Sequence, residues 1–252
     1  MRLAERALEK TLREFKPSII ASTYPLYPYF LERSFQRGLP RCPVVTIVTE
    51  VEVDPEDPAF DAPNKPIGRF YTPDEAESLA RERGWRLMED PKRGVRRVVA
   101  SPIPRRIVQL STIEQLCELG ITVICCGGGG IPVSRGQDGD IVGQEAVIDK
   151  DRVSMLLAVH LGAPRFVITT SVDQVYEDFF SDDPKPRPRL TRDEASQLAR
   201  EGHFAAGSMG PKIEAAIDYL EAVDGDVVIC LPEDLVAAID GNAGTHIRRN
   251  WH

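Results

Sequence analysis

Apolar positions along this chain follow two periods. From about Arg106 onward, short apolar runs rich in β-branched residues alternate with segments whose apolar residues share one helical face. The runs predict strands at Arg106–Leu110, Ile121–Cys125, Arg165–Thr169, Asp226–Cys230 and Thr245–Arg248. The helical spacing predicts helices at Thr112–Leu119, Asp151–Leu161, Arg192–Glu201, Met209–Val223 and Glu233–Asp240. Such alternation implies a parallel-type sheet covered on both faces. Upstream, Leu3, Ala7, Leu8, Leu12 and Phe15 have helix spacing, Ser18–Ala21 is a short apolar run, and the aromatic segment Tyr24–Phe35 suits a helix after Pro28. Val44–Thr49 is the first clear strand, and Glu50–Asp54 can extend it.

The alternation is interrupted in the middle. Asp54–Pro73 is rich in Pro, Asp and Asn. Pro73–Gly84 then reads as a helix with Pro in its first turn and Gly at its end, and Arg96–Ala100 as a strand. The expected organisation is one domain: a short N-terminal part (1–49), an inserted protruding lobe (50–105), and a lobe from 106 to 252.

Composition narrows the class. The chain has 252 residues, 42% apolar and 28% charged, a globular profile rather than a disordered one. Its net charge of −8 and the lack of a basic run argue against nucleic-acid binding. No apolar run is long enough to cross a bilayer, and the charged, amphipathic start is not a signal peptide. The five cysteines lack zinc-ligand spacing, which suggests a reducing, cytoplasmic compartment. Cys125 and Cys126 read as buried small hydrophobes on a strand, facing opposite ways.

Candidate chemistry centres on Gly127, Gly128, Gly129 and Gly130, which follow the strand at Ile121–Cys125. Consecutive glycines are entropically expensive, and they suit a backbone that must approach an anion. Ile131-Pro132-Val133 follows them, which excludes a P-loop, and the match to a dinucleotide fingerprint is poor. Asp149-Lys150-Asp151 places a cation between carboxylates at a helix start. Gly207-Ser208-Met209-Gly210-Pro211-Lys212 opens another helix and ends in a lysine that opposes the dipole unless an anion is near. Lysines held by a carboxylate are what phosphoryl transfer requires. Thr169–Tyr176 leaves a strand C-terminus, the usual nucleotide location in open α/β sheets; an ordinary turn capped by Asp173 is the equal alternative. Lys65 taken alone is a surface lysine, and His160 and His203 have no partner by spacing.

Together these motifs resemble the carbamate kinases of the amino-acid kinase superfamily. The resemblance is carried in order by P-V-V-T-I-V-T (Pro43–Thr49), D-P-A-F (Asp57–Phe60), N-K-P-I-G (Asn64–Gly68), G-V-R-R-V-V-A-S-P-I-P (Gly94–Pro104), G-G-G-G-I-P-V, E-A-V-I-D-K-D, S-V-D-Q-V-Y, E-G-H-F-A-A-G-S-M-G-P-K and G-N-A-G-T (Gly241–Thr245). It implies a three-layer αβα sandwich with a mainly parallel central sheet and a small inserted lobe. It also implies phosphoryl transfer between ATP and carbamate, run as ADP plus carbamoyl phosphate with Mg2+, by a homodimer in arginine metabolism. By motif, Lys150 and Lys212 would neutralise the moving phosphoryl group, Asp151 would orient them, and Lys65 would close over the site. Asp173, Val175, Tyr176, Ser208, Met209 and Gly210 would bind nucleotide, and Gly127–Gly130 would lie beside the substrates, with no protein ligand for a metal. The family's opening Gly-Gly-Asn strand and its His-Gly-Asn-Gly-Pro-Gln segment have no counterpart in Met1–Cys42. That departure sets the kinase reading against a non-catalytic nucleotide-binding relative, a truncated form that acts through a partner.

Overall fold

The computed structural model describes residues 44–90, 93–205 and 208–251. The expectations for the first helix, the Ser18–Ala21 run and the aromatic segment lie outside these residues. The architecture is mixed α/β. In its C-terminal part, β10 (Arg165–Thr169), β14 (Asp226–Cys230), β15 (Thr245–Arg248) and β13 (Arg189–Thr191) lie side by side. β10 and β14 run parallel with Arg165 opposite Asp226 and Thr169 opposite Cys230; β15 is antiparallel to β14 and parallel to β13. Every residue of β14 is buried, as its unbroken apolar run requires.

Helix α5 (Met209–Ala222) covers this sheet, and α4 (Arg192–Glu201) and α3 (Lys150–His160) pack against α5. Ile213, Ala216, Tyr219 and Leu220 of α5 share one core with Phe166, Ile168 and Ile229. A second core joins Val153 and Leu157 of α3 to Val51, Val123, Cys125 and Cys126. Both cysteines are buried, as expected, but they lie beyond β7 (Thr122–Ile124), and Cys126 has a left-handed backbone with φ of 58°. The alternation assumed for them belongs to a strand that has already ended.

The strand expected from Val44, with its extension through Glu50–Asp54, is broken in two. β1 (Val44–Thr46) pairs with β7, whereas β2 (Glu50–Val53) lies between β6 (Pro104–Ile107) and β8 (Ile131–Arg135). Between them the Thr49 hydroxyl accepts the Cys126 amide at 2.9 Å and the Thr49 carbonyl accepts the Ile131 amide at 2.8 Å. β9 (Ile141–Gly143) completes that sheet as a hairpin with β8. Helix α2 (Leu110–Glu118) links β6 to β7.

An antiparallel sheet of β3 (Lys65–Tyr71), β5 (Gly94–Val99) and β4 (Arg86–Asp90) carries helix α1 (Pro73–Arg83). A capping box between Thr72 and Glu75 starts α1, and Gly84 ends it at φ of 66°. The remaining elements are the short pair β11 (Tyr176–Glu177) and β12 (Lys185–Pro186) and the short helix α6 (Leu235–Ile239).

Candidate active site

The start of α3 gathers the charge. Asp149 is its N-cap, and one carboxylate oxygen accepts the amides of Asp151 at 2.9 Å and Arg152 at 3.4 Å. Its other oxygen accepts the Lys65 Nζ at 2.7 Å, from the first residue of β3. Burial pushes the Asp149 carboxyl up, but the Lys65 hydrogen bond and charge and the two amides outweigh it and hold it below the usual carboxylate range. Two residues on, Asp151 Oδ2 accepts the Lys212 Nζ at 2.8 Å. The Lys150 Nζ lies 3.9 Å from the same oxygen. Asp151 and Lys212 are both buried, whereas Lys150 is half exposed.

Lys212 sits in the first turn of α5, where a cation opposes the helix dipole. Asp151 answers that mismatch directly. Ser208 makes no side-chain cap to α5, no acidic residue occupies its first turn, Pro211 carries no amide hydrogen, and the Gly210 amide is taken by the Ala205 carbonyl. Three ammonium groups therefore face two carboxylates, and the cluster carries one surplus positive charge beside two helix N-termini.

The glycine turn packs against this helix start. Gly127–Gly129 form a single 3-10 turn. The amides of Gly129 and Gly130 close on the Cys126 and Gly127 carbonyls, each at 3.1 Å. A Cβ on Gly129 would stand 2.2 Å from the Ile148 carbonyl oxygen, and one on Gly130 would stand 2.6 Å from a Val51 methyl. Close packing accounts for those two glycines. Gly127 and Gly128 are exposed, and space is open around Gly128. The four glycines, alike in the sequence, thus divide into a packed pair and an open pair.

A cavity of about 240 Å³ opens beside the N-terminus of α5. Tyr176, Ser208 and Met209 line it, together with Ser171, Phe179, Phe180 and Phe204. Val175 is fully buried behind it and donates its amide to the Thr245 hydroxyl at 2.8 Å. Asp173 faces a different cavity, although it accepts the Tyr176 hydroxyl at 3.1 Å. Gly210 donates its amide to the Ala205 carbonyl at 2.9 Å.

Sequence reasoning passed over Phe179 and Phe180, whose rings meet edge to face at 5.2 Å. Their signal was present: Phe180 is an apolar residue 84% exposed on a polar loop, and adjacent aromatics there have no core to fill. His203, taken as partnerless by spacing, has two acidic partners: Asp178 at 2.7 Å and Glu201 at 3.3 Å. The Asp178 hydrogen bond, against some burial, raises its imidazole above the ordinary value. Asp178 lies 25 positions away, so spacing along the chain could not reveal it.

Comparison with known proteins supports the geometry. Residues 76–230 match the amino acid kinase family. A carbamate kinase of Staphylococcus haemolyticus is 48% identical over 207 residues, 82% of this chain and 67% of that protein. Carbamate kinase 2 of Enterococcus faecalis is 42% identical over 232 residues, 90% of this chain and 74% of that one. Among solved structures, carbamate kinase from Giardia lamblia bound to AMP-PNP superposes with a TM-score of 0.78 and 39% identity, over 88% of this chain and 72% of that one. The chain belongs to the amino acid kinase family, among the carbamate kinases.

Proposed function

We propose that the chain catalyses phosphoryl transfer between ATP and carbamate, in practice from carbamoyl phosphate to ADP. The observation that carries this reading is the Lys150–Asp151–Lys212 cluster, joined through α3 to the Asp149–Lys65 pair. In the transfer, a terminal β-phosphate oxygen of ADP attacks the phosphorus, the bond from phosphorus to the carbamoyl oxygen breaks, and carbamate leaves with that electron pair. Negative charge spreads over the equatorial oxygens, where fixed ammonium groups stabilise it. Lys212, held by Asp151, and Lys150, which keeps more freedom, are the proposed neutralising groups. Lys65 approaches from the inserted lobe, and Gly127 and Gly128 form the open part of the wall.

The aromatic cavity is the proposed nucleotide site, with Tyr176, Ser208 and Met209 in its wall and Asp173, Val175 and Gly210 shaping it from behind. The Giardia relative binds AMP-PNP, which supports an adenine nucleotide. A magnesium ion is the proposed companion of that nucleotide. Asp149 and Asp151 already face ammonium groups, so the cluster suits phosphate oxygens, and the nucleotide's own phosphates are the ion's natural ligands. The division at 49/50 and 105/106 is likewise proposed; the separate β3–β5–β4 sheet supports an inserted lobe within those bounds, although β2 and β6 at its edges pair in the sheet with β8. A cytoplasmic homodimer serving arginine metabolism completes the reading; the free thiols of Cys117, Cys125, Cys126 and Cys230 suit a reducing compartment.

The test is ATP formation from ADP, magnesium and carbamoyl phosphate by the whole chain and by Lys212→Ala. Removing one such charge is expected to lower kcat by about 10²–10³. Calorimetric nucleotide binding with no turnover in the unaltered chain would overturn the catalytic reading.

A further inference from the structure

The aromatic cavity beside the N-terminus of α5 is walled by two stretches of chain. One contributes Tyr176, Phe179 and Phe180, the other Phe204 and Met209. Each stretch carries an ionisable residue directly before a phenylalanine of the wall: Asp178 before Phe179, and His203 before Phe204. His203 Nδ1 and an Asp178 carboxylate oxygen meet at 2.7 Å. Among the described residues this is the one hydrogen bond that joins the two stretches. The Ser181 amide closes a turn on the Asp178 carbonyl at 2.8 Å, with Phe179 and Phe180 as its central residues. The Phe179 ring meets that of Tyr176 edge to face at 5.7 Å. Whatever fixes Asp178 therefore fixes the aromatic wall.

The other ring nitrogen of His203 also faces a carboxylate. Nε2 lies 3.3 Å from Glu201, the last residue of α4. Carboxylates only accept, whereas a neutral imidazole has one N–H and one lone pair. Both contacts are satisfied together only in the imidazolium. Glu177 adds negative charge from the Asp178 side, where Arg187 pairs with it, and Arg200 stands near Glu201 on α4. The Asp178 hydrogen bond holds the imidazole above its ordinary value of 6.5, so the ring stays charged past that pH and is neutralised as pH rises through the raised value.

We propose that His203 is a positioning residue for the nucleotide: as imidazolium it clamps the Asp178–Ser181 turn to the end of α4 and so holds the Tyr176–Phe179 wall of the cavity in place. The inference rests on the nucleotide reading of this cavity. Loss of the proton turns a lone pair toward one of the two carboxylates, and the clamp opens. Nucleotide affinity therefore falls as pH rises, while Lys150, Asp151 and Lys212 keep their contacts.

Magnesium–ADP is titrated calorimetrically into the whole chain, His203→Gln and His203→Arg between about pH 5.5 and pH 9. Glutamine keeps a hydrogen-bonding side chain without the charge, and arginine keeps the charge throughout. Ionisation of the ADP phosphates is common to all three chains and cancels in their ratios. The unaltered chain should bind about two- to fivefold more tightly than His203→Gln at the acid end, the range of a partly exposed ion pair. The two should bind equally at the alkaline end, which also verifies that His203→Gln is folded. His203→Arg should hold the tighter value at every pH. KM for ADP should follow the same pattern, with kcat at saturating ADP the same in all three. A His203→Gln profile parallel to that of the unaltered chain would overturn the inference and leave the nucleotide reading standing. So would His203→Arg binding as weakly as His203→Gln at the acid end. No ADP binding by the unaltered chain at any pH would overturn both.

Discussion

At the scale of single residues, Asp149 holds two unlike jobs on its two oxygens: it caps α3 and anchors Lys65. Its carboxyl is held below the ordinary value of about 3.9. The native state therefore binds this proton less tightly than the unfolded chain, and the stabilisation is complete above the unfolded pKa. It is lost as pH falls through the lower native value. Asp149→Asn should cost about 1 kcal/mol or more at neutral pH, and it should show a shallower loss of stability below about pH 4; urea titrations across that range measure both. Gly129→Ala should be worse than Gly128→Ala, because only the former drives a methyl into the Ile148 carbonyl. Roughly 1–2 kcal/mol is expected at Gly128 from its left-handed backbone alone, and several at Gly129. Chemical unfolding of the two variants makes the comparison.

At the scale of elements, the sequence was most legible where local chemistry and periodicity agreed. The bounds of α4 follow from Thr191 with Glu194 at one end and Gly202 at the other, and β10, β14 and β15 fall where their apolar runs lie. The β8–β9 hairpin escaped notice because Ile141, Val142 and Gly143 are all exposed, which leaves no buried face to set a period of two. β4 escaped for a related reason: Arg-Leu-Met-Glu-Asp is largely polar and its ladder depends on β5, 94–99, rather than on its own propensity. Of the candidate site, the lysines and their carboxylates were readable as motifs. Which lysine meets which carboxylate was not, since Lys65 and Asp149 lie 84 positions apart. Thr72→Ala should cost about 1 kcal/mol by removing the hydroxyl that accepts the Glu75 amide in the α1 capping box, while the residue-72 amide can still donate to the Glu75 carboxylate. Hydrogen exchange should find the change concentrated in Pro73–Arg83.

At the scale of the whole molecule, the ammonium surplus at the start of α3 sits within a chain whose net charge is −8. A polyphosphate approaching from solution meets a repelling body before it meets an attracting pocket. Beyond about 8–10 Å at physiological ionic strength neither field reaches far, so capture is a contact event rather than a guided one. Raising salt from low values should first hasten nucleotide association, as the long-range repulsion is screened. It should also speed release, because the attraction at contact is shielded too. Stopped-flow traces across a salt series would separate the two rates, and their parallel rise would leave affinity nearly flat while exchange quickens. A protein of this kind is tuned by ions in its turnover of nucleotide more than in its grip.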